Sequence, residues 1–232
     1  MTRVHERFVA DRFSSLESRF KASVAGDDVR LAALRRALGP LAGLSILDLG
    51  CGKGRFARQL ALAGARIVGV DIALGMLGHA GGIDRVRASA SRLPLRSRSF
   101  DAVVAVEVLQ HVAPAALPEV ITEAARVLRP AGRLLVIDRN ATALDARRPW
   151  LPRVALKCLD EHRGRWMYRP GEPVRERWFR KSQLSRLLAF QFEHVACTPI
   201  VHPDETHHPI FRLWPARCTL LLWSAANPRT CR

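Results

Sequence analysis

Asp48, Gly50, Gly52 and Gly54 are the residues of this 232-residue chain whose types and spacing first suggest chemistry. They lie in the stretch Ile46 to Leu60, ILDLGCGKGRFARQL, where a short apolar run gives way to a glycine turn and then to a segment carrying Phe56, Leu60 and Ala63. Ile46, Leu47 and Leu49 read as a strand buried on both faces. Glycines at alternate positions let the backbone turn tightly and approach a ligand where any Cβ would clash, and Gly64 stops the helix that follows. A strand, a glycine turn and a helix in that order build a nucleotide-cofactor site. The dinucleotide pattern G-x-G-x-x-G would need glycine where Arg55 stands, so no pyrophosphate seat is expected and NAD is not the cofactor indicated.

Other chemistry-bearing residues form weaker patterns. The loop VHPDETHHP, Val201 to Pro209, gathers His202, His207 and His208 with Asp204 and Glu205. Adjacent histidines do not converge easily on one ion and no helical H-x-x-x-H exists, so no metal is expected. The five cysteines, Cys51, Cys158, Cys197, Cys218 and Cys231, are odd in number and scattered, with no C-x-x-C pair. That argues against both a disulfide framework and a zinc site.

The elements that must position these residues follow from apolar periodicity. Phe13, Leu16, Phe20 and Val24 recur at helical spacing, and Asp27-Asp28 opens a second helix carrying Leu31, Leu34 and Leu38 that Gly39-Pro40 ends. Apolar runs at 46–49, 67–70, 102–106 and 134–137 alternate with helical segments, one opening near Pro114 or Pro118 and passing through Leu117, Ile121 and Leu128. Such alternation implies right-handed crossovers and a parallel sheet. Residues 139–180 break the rhythm: the segment is proline-rich and basic and holds Trp150, Trp166, Trp178 and the only tyrosine, Tyr168. Ser182 then caps a helix with Leu184, Leu187 and Leu188, and Phe192 to Ala196 and Cys218 to Trp223 read as strands.

The motif at 46–54 resembles the first motif of the class I S-adenosylmethionine-dependent methyltransferases, hydrophobic-hydrophobic-D-x-G-x-G-x-G. The resemblance, to the broad small-molecule branch of that superfamily, continues in order through Ile67 to Leu77, Arg92 to Val112 and Val127 to Asp138. It implies a Rossmann-like α/β fold: a seven-stranded, mostly parallel sheet with helices on both faces and a final antiparallel strand pair. One domain would span 1–232, with N-terminal helices at 1–44, a cofactor-binding half at 45–138, a basic Trp-rich substrate cap at 139–180 and a C-terminal helix and strand pair at 181–232.

The same resemblance implies S-adenosyl-L-methionine as cofactor and a role for each matched position. Gly50, Cys51, Gly52 and Gly54 would bring the backbone against the cofactor, with Cys51 chemically passive, and Asp48 would orient the turn. Asp71 would accept from the ribose hydroxyls, while Ile72 and Met76, with Leu77, would pack around the adenine. Ser89, beside Ala90, stands where the family often has an aspartate for the adenine amino group, and a neutral hydroxyl bonds more weakly than a carboxylate. Glu107 and Val108 match the segment lining the methionine end, with Glu107 either a tail contact or a structural acid. Should the acceptor need a base, His207 and His208 are favoured over His111, because a loop residue varies with substrate.

Bulk composition bounds the partners. No stretch approaches the ~18 uncharged apolar residues of a membrane span, and the N-terminus lacks the apolar core of a signal peptide, so a soluble, cytoplasmic enzyme is expected. Tryptophans beside arginines in 139–180 suit a planar or anionic small-molecule acceptor. The formal charge of +16 raises the alternative of a tRNA or rRNA methyltransferase, although the basic residues are spread along the chain. A cofactor-binding protein without transferase activity is a more distant reading. No [DNS]-P-P-[YF] tetrapeptide follows the fourth strand and no Pro-Cys nucleophile is present, which sets aside common forms of base-amino and cytosine C5 methylation.

Overall fold

The computed structural model describes residues 2–229, so Cys231 lies outside the described residues. Seven strands form one sheet: β1 (Ser45–Leu49), β2 (Arg66–Asp71), β3 (Asp84–Arg87), β4 (Phe100–Val106), β5 (Leu128–Arg139), β6 (Phe192–Ile200) and β7 (Leu220–Pro228). Their spatial order is β3-β2-β1-β4-β5-β7-β6. The first five run parallel, and β7 is antiparallel to both β5 and β6. This is the Rossmann-like sheet expected, including its antiparallel close. β3 is the strand that no apolar run announces. Its sequence, DRVR, is largely exposed because it pairs on one side only, at the sheet edge.

Successive strand residues point to opposite faces, and both faces are covered. Leu47, Val103, Leu134 and Val136 pack with α5 (Leu117–Val127) and α7 (Lys181–Ala189). Ile46, Ile67, Val104 and Leu135 pack with α2 (Val29–Leu38) and α3 (Arg55–Leu62). Burial on both sides explains why these strands read as continuous apolar runs.

The N-terminal stripe behaves differently from its periodicity. A helix through Phe13, Leu16, Phe20 and Val24 is not formed: α1 spans Thr2–Ser15, a single turn follows at Glu17–Arg19, and the chain then runs irregularly to Asp28. Ser15 donates its hydroxyl back to the Arg12 carbonyl, 2.9 Å away, where α1 ends. Backbone bonding of this kind competes with helix propagation. Phe13 and Phe20 stack on each other instead, with ring centroids 5.4 Å apart. Asp28 does cap α2, accepting from the amides of Arg30 and Leu31.

Residues 139–180 contribute α6 (Arg153–His162) and otherwise irregular chain. Val9 of α1 packs on Tyr168 and Val174, tying the N-terminal helix to this segment. The remaining short helices are α4 (Leu74–Gly78), α8 (Pro203–Thr206) and α9 (Pro209–Leu213). Among the described residues no helix is long and apolar enough to cross a membrane.

Leu34 of α2 is fully buried while Leu62 at the end of α3 is 82% exposed. Leu34→Ala is expected to lower the unfolding free energy by about 2–5 kcal/mol and Leu62→Ala by less than about 0.5 kcal/mol, measured by urea denaturation. Equal losses at the two positions would contradict the packing of α2 on the sheet.

Candidate functional site

The glycine turn lies at the carboxyl end of β1, and two backbone features shape it. Gly50, Gly52 and Gly54 all have positive φ, at 71°, 54° and 71°, where L side chains are strained. A Cβ on Gly50 would also come within 2.5 Å of Val108 Cγ2, so the turn sits flush against the segment after β4. Hydrogen bonds join the turn to the end of β2: the amides of Gly50 and Cys51 donate to the Val70 carbonyl at 2.7 and 3.0 Å. Asp71 completes the join, accepting from Gly52 N and Ala73 N, each at 2.8 Å.

A cavity of about 430 Å³ opens beside this turn, within the range of small-ligand sites. Of the residues expected around a cofactor, all but Gly54 and Leu77 line it. Gly54 instead caps α3 and packs near Ala80, so its contribution is to turn the chain. Cys51 is buried and its thiol is pushed up by burial and then by Asp48 and Asp71, which leaves it unreactive.

The acids of the cleft differ sharply. Burial, reinforced by Asp71, raises Asp48 to about 7, with Arg55 and the Ala57 amide offsetting part of the effect. Burial also raises Asp71, opposed by its backbone amides. Glu107 goes the other way. Burial alone would push it up, but the charges of Arg139, Arg30 and Arg55 hold it below the usual carboxylate range. Arg30 Nη1 lies 2.7 Å, Arg139 Nη2 3.0 Å and Arg55 Nη2 3.3 Å from its oxygens. Glu107 adopts φ 57° as the chain leaves β4, a left-handed conformation that costs energy in a non-glycine residue. Of the two roles open to it in the sequence, this geometry favours the structural acid.

The histidines divide. His111 lines the cavity and is buried, and burial lowers it to about 3, so the ring is neutral. Its Nδ1 lies 3.1 Å from the Tyr168 hydroxyl and its Nε2 3.2 Å from Gln110 Nε2. A neutral imidazole has one donor and one acceptor nitrogen. With Nε2 accepting from the Gln110 amide, Nδ1–H donates to Tyr168 and leaves the tyrosine proton for another acceptor. His111 is thus held as a positioning group, while Gln110 Oε1 is buried without a partner.

His207 and His208 are exposed and do not line the cavity, which corrects their expected place over the acceptor. His208 accepts from Ile210 N and caps α9, and His202 caps α8 in the same way. Glu205 is buried below them, accepting from Thr219 N, Thr219 Oγ1 and His202 N. The loop is therefore a structural connector between β6 and β7. No group of residues suited to a metal ion is found among the described residues. Asp138 accepts from the amides of Gln110 and Arg139, and Asn140 donates to the carbonyls of Ala216 and Cys218.

Within 139–180, Arg139, Met167 and Glu176 reach the cleft, but the tryptophans do not. Trp166 and Trp178 donate their indole N–H to the two oxygens of Glu176, at 2.9 and 2.6 Å, and Trp150 is exposed. The aromatic wall comes from Phe13 and Phe20, with His5, Glu6 and Val9 of α1. Sequence reasoning named Phe13 and Phe20 only as part of a helical stripe, and it named neither His5, Glu6 and Val9 nor Arg30. Arg30 carried one readable signal: it follows the Asp28 cap and so projects from the first turn of α2.

Residues 47–136 match the family described as a methyltransferase domain. Over 164 residues the chain is 34% identical to the biotin biosynthesis bifunctional protein of Cellvibrio japonicus, an alignment covering 64% of this chain and 31% of that one. Over 115 residues it is 38% identical to the ubiquinone biosynthesis O-methyltransferase of Azorhizobium caulinodans, covering 46% and 45%. The chain thus spans less than half the length of either relative. An S-adenosylmethionine-dependent methyltransferase structure from Mesorhizobium loti superposes with a TM-score of 0.64 at 24% identity, covering 88% of this chain and 99% of that one, and so shares its fold.

Glu107 carries the prediction this geometry generates. Removing its charge leaves three arginines facing one another in a buried site, so Glu107→Gln is expected to cost about 3–5 kcal/mol of stability at pH 7. Because its folded pKa is depressed, the carboxylate's stabilisation is present above its unfolded value of ~4.3 and is lost as pH falls through the lower folded value. Urea denaturation of both proteins should show the gap closing below about pH 4. A gap unchanged down to pH 2 would contradict the charge assignment.

Proposed function

We propose that the chain is a class I S-adenosylmethionine-dependent methyltransferase that methylates a small molecule held between α1 and the 139–180 segment. The observation that carries this reading is the meeting of Gly50, Gly52 and Asp71 on one wall of a cleft whose other wall is Phe13, Phe20, His111 and Met167. The first wall suits an adenosine with an amino-acid tail: the turn admits it, Asp71 keeps acceptor lone pairs for ribose hydroxyls, and Ile72 and Met76 offer apolar contact. Arg30 and Arg55 stand beside Glu107 where a tail carboxylate would gain a cation. The second wall suits a flat acceptor, with Arg139 supplying charge for an anionic substituent.

The cofactor brings a methyl group on a sulfonium, which is already a good leaving group. What the chain must add is alignment and exclusion of water. α1 and residues 139–180 close the cleft from above, and the Tyr168–His111–Gln110 chain fixes the acceptor side of the wall. A pKa near 3 makes His111 a weak base, so proton removal from the acceptor does not rest on its titration.

Two experiments test the reading. Incubating the protein with methyl-labelled cofactor and cell extract should label a low-mass fraction that ribonuclease leaves intact. Label confined to RNA would overturn the small-molecule assignment and make the +16 charge functional. Calorimetric titration should show cofactor binding on the order of 8 kcal/mol, micromolar in affinity, that Gly52→Asp abolishes.

Asp48 adds a pH signature. A carboxyl raised to about 7 in the fold is mostly protonated at pH 6 and destabilises the native state increasingly as pH rises from ~4 through that value. A positive charge brought beside it lowers its pKa, so binding should release a proton at pH 6 and none at pH 8.5. Calorimetry in buffers of different ionisation enthalpy reads this directly. Equal release by Asp48→Asn would contradict the assignment.

A further inference from the structure

The base end of the cleft holds an arrangement that neither the motif nor the fold requires. Ser89 is hydrogen-bonded to Glu6 of α1, its hydroxyl donating to Glu6 Oε1 at 2.6 Å across a separation of 83 residues. The Ser91 hydroxyl donates to the same oxygen at 3.2 Å, and Ser91 N donates to Ser89 Oγ, also at 3.2 Å. Both serine oxygens are therefore within hydrogen-bond distance of one carboxylate oxygen, and they lie 2.9 Å from each other. Glu6 Oε2 has no partner among the described residues, and Glu6 lines the cleft together with Ile72, Met76, Ser89 and Ala90.

Resting on the reading that this cleft holds S-adenosylmethionine, we propose that Glu6 is the residue that recognises the exocyclic amine of the purine, so that α1 selects the base. An amine needs an acceptor. The side chains of Ile72, Met76, Ala88 and Ala90 at this end of the cleft are apolar, and the Ser89 and Ser91 hydroxyls, which can still accept, are neutral and already bonded to Glu6 and to each other. Asp71 has each oxygen engaged by a backbone amide, and on the reading above its remaining lone pairs take the ribose hydroxyls. Glu6 supplies a carboxylate oxygen without a partner among the described residues, and a bond from an amine to a carboxylate is about twice as strong as a neutral one. A purine with a keto oxygen in place of the amine would meet the same carboxylate oxygen to oxygen and be rejected.

The position of Glu6 adds a consequence. α1 is also joined to residues 139–180 by the Arg12–Glu172 ion pair and to the cleft wall by His5 Nε2, 2.8 Å from the His111 carbonyl. Seating the base thus draws on the same helix that walls the acceptor side.

The test compares binding of S-adenosylhomocysteine with its 6-keto counterpart, S-inosylhomocysteine, by calorimetry at pH 7.5. The wild-type protein is expected to favour the amino compound by about 10-fold or more. Glu6→Gln presents an amide that can turn to accept from an amine or donate to a keto group, so the preference should fall to about 2-fold. Ser89→Asp added to Glu6→Gln restores a carboxylate at the same end and should recover the preference. Thermal melts identify any variant that fails to fold, and in that case Glu6→Ser serves as the second substitution with the same expected loss. A wild-type protein that binds both compounds equally, or a Glu6→Gln variant that keeps its full preference, overturns the role of Glu6 while leaving the cofactor reading intact. A wild-type protein that binds neither compound removes the cofactor reading and this proposal with it.

Discussion

The bond from the Gly52 amide to the Asp71 carboxylate is the constraint on which the rest of the cleft depends. It locks the turn after β1 to the end of β2, and with Ala73 N it supplies two of the donors that let a carboxylate persist in a site where burial drives it toward neutrality. Parallel strands alone would not hold the turn in this shape. The sheet brings Val70 beside Leu49, and the turn is then set by Val70 O and Asp71 acting on successive amides. Because Asp71 shares the pocket, its charge adds to the cost of ionising the buried Asp48, and a cationic ligand is the natural relief.

Glu107 plays the corresponding part on the opposite wall. One carboxylate gathers arginines from α2, α3 and the end of β5, and Arg139 continues the network to Glu176 and its two indoles. A buried cluster of this kind contributes less to stability than its distances suggest, since desolvation cancels much of the attraction. Its effect is positional: the cofactor wall, the N-terminal region and residues 139–180 are fixed to one another through charges that leave guanidinium groups at the tail end of the cleft.

Much of this was legible in the residues, and the exceptions have physical causes. The glycine turn was readable because local spacing determines the backbone there, and Asp71 and Glu107 were reached through the motifs of the family that the chain resembles. Burial on both faces made β1, β2, β4 and β5 visible as apolar runs, and β3 was not visible because an edge strand has one neighbour and little burial. The stripe from Phe13 to Val24 has helical periodicity yet serves an irregular segment, since a cleft wall and a helix face both ask for spaced apolar side chains. His207 and His208 looked catalytic by type, but their side chains are exposed on a connector, a placement that depends on the long-range packing of Glu205 against Thr219. Contacts such as Glu6 with Ser89 join residues too far apart in the chain for any local pattern to announce.

The most direct measurement is the crystal structure of the protein with S-adenosylhomocysteine. The ribose hydroxyls should lie within hydrogen-bond distance of Asp71, with the thioether beside the glycine turn and the Asp71–Gly52 bond retained. A ligand seated elsewhere, or a ribose that leaves Asp71 without a contact while the protein retains methyl transfer, would contradict the role given to that carboxylate.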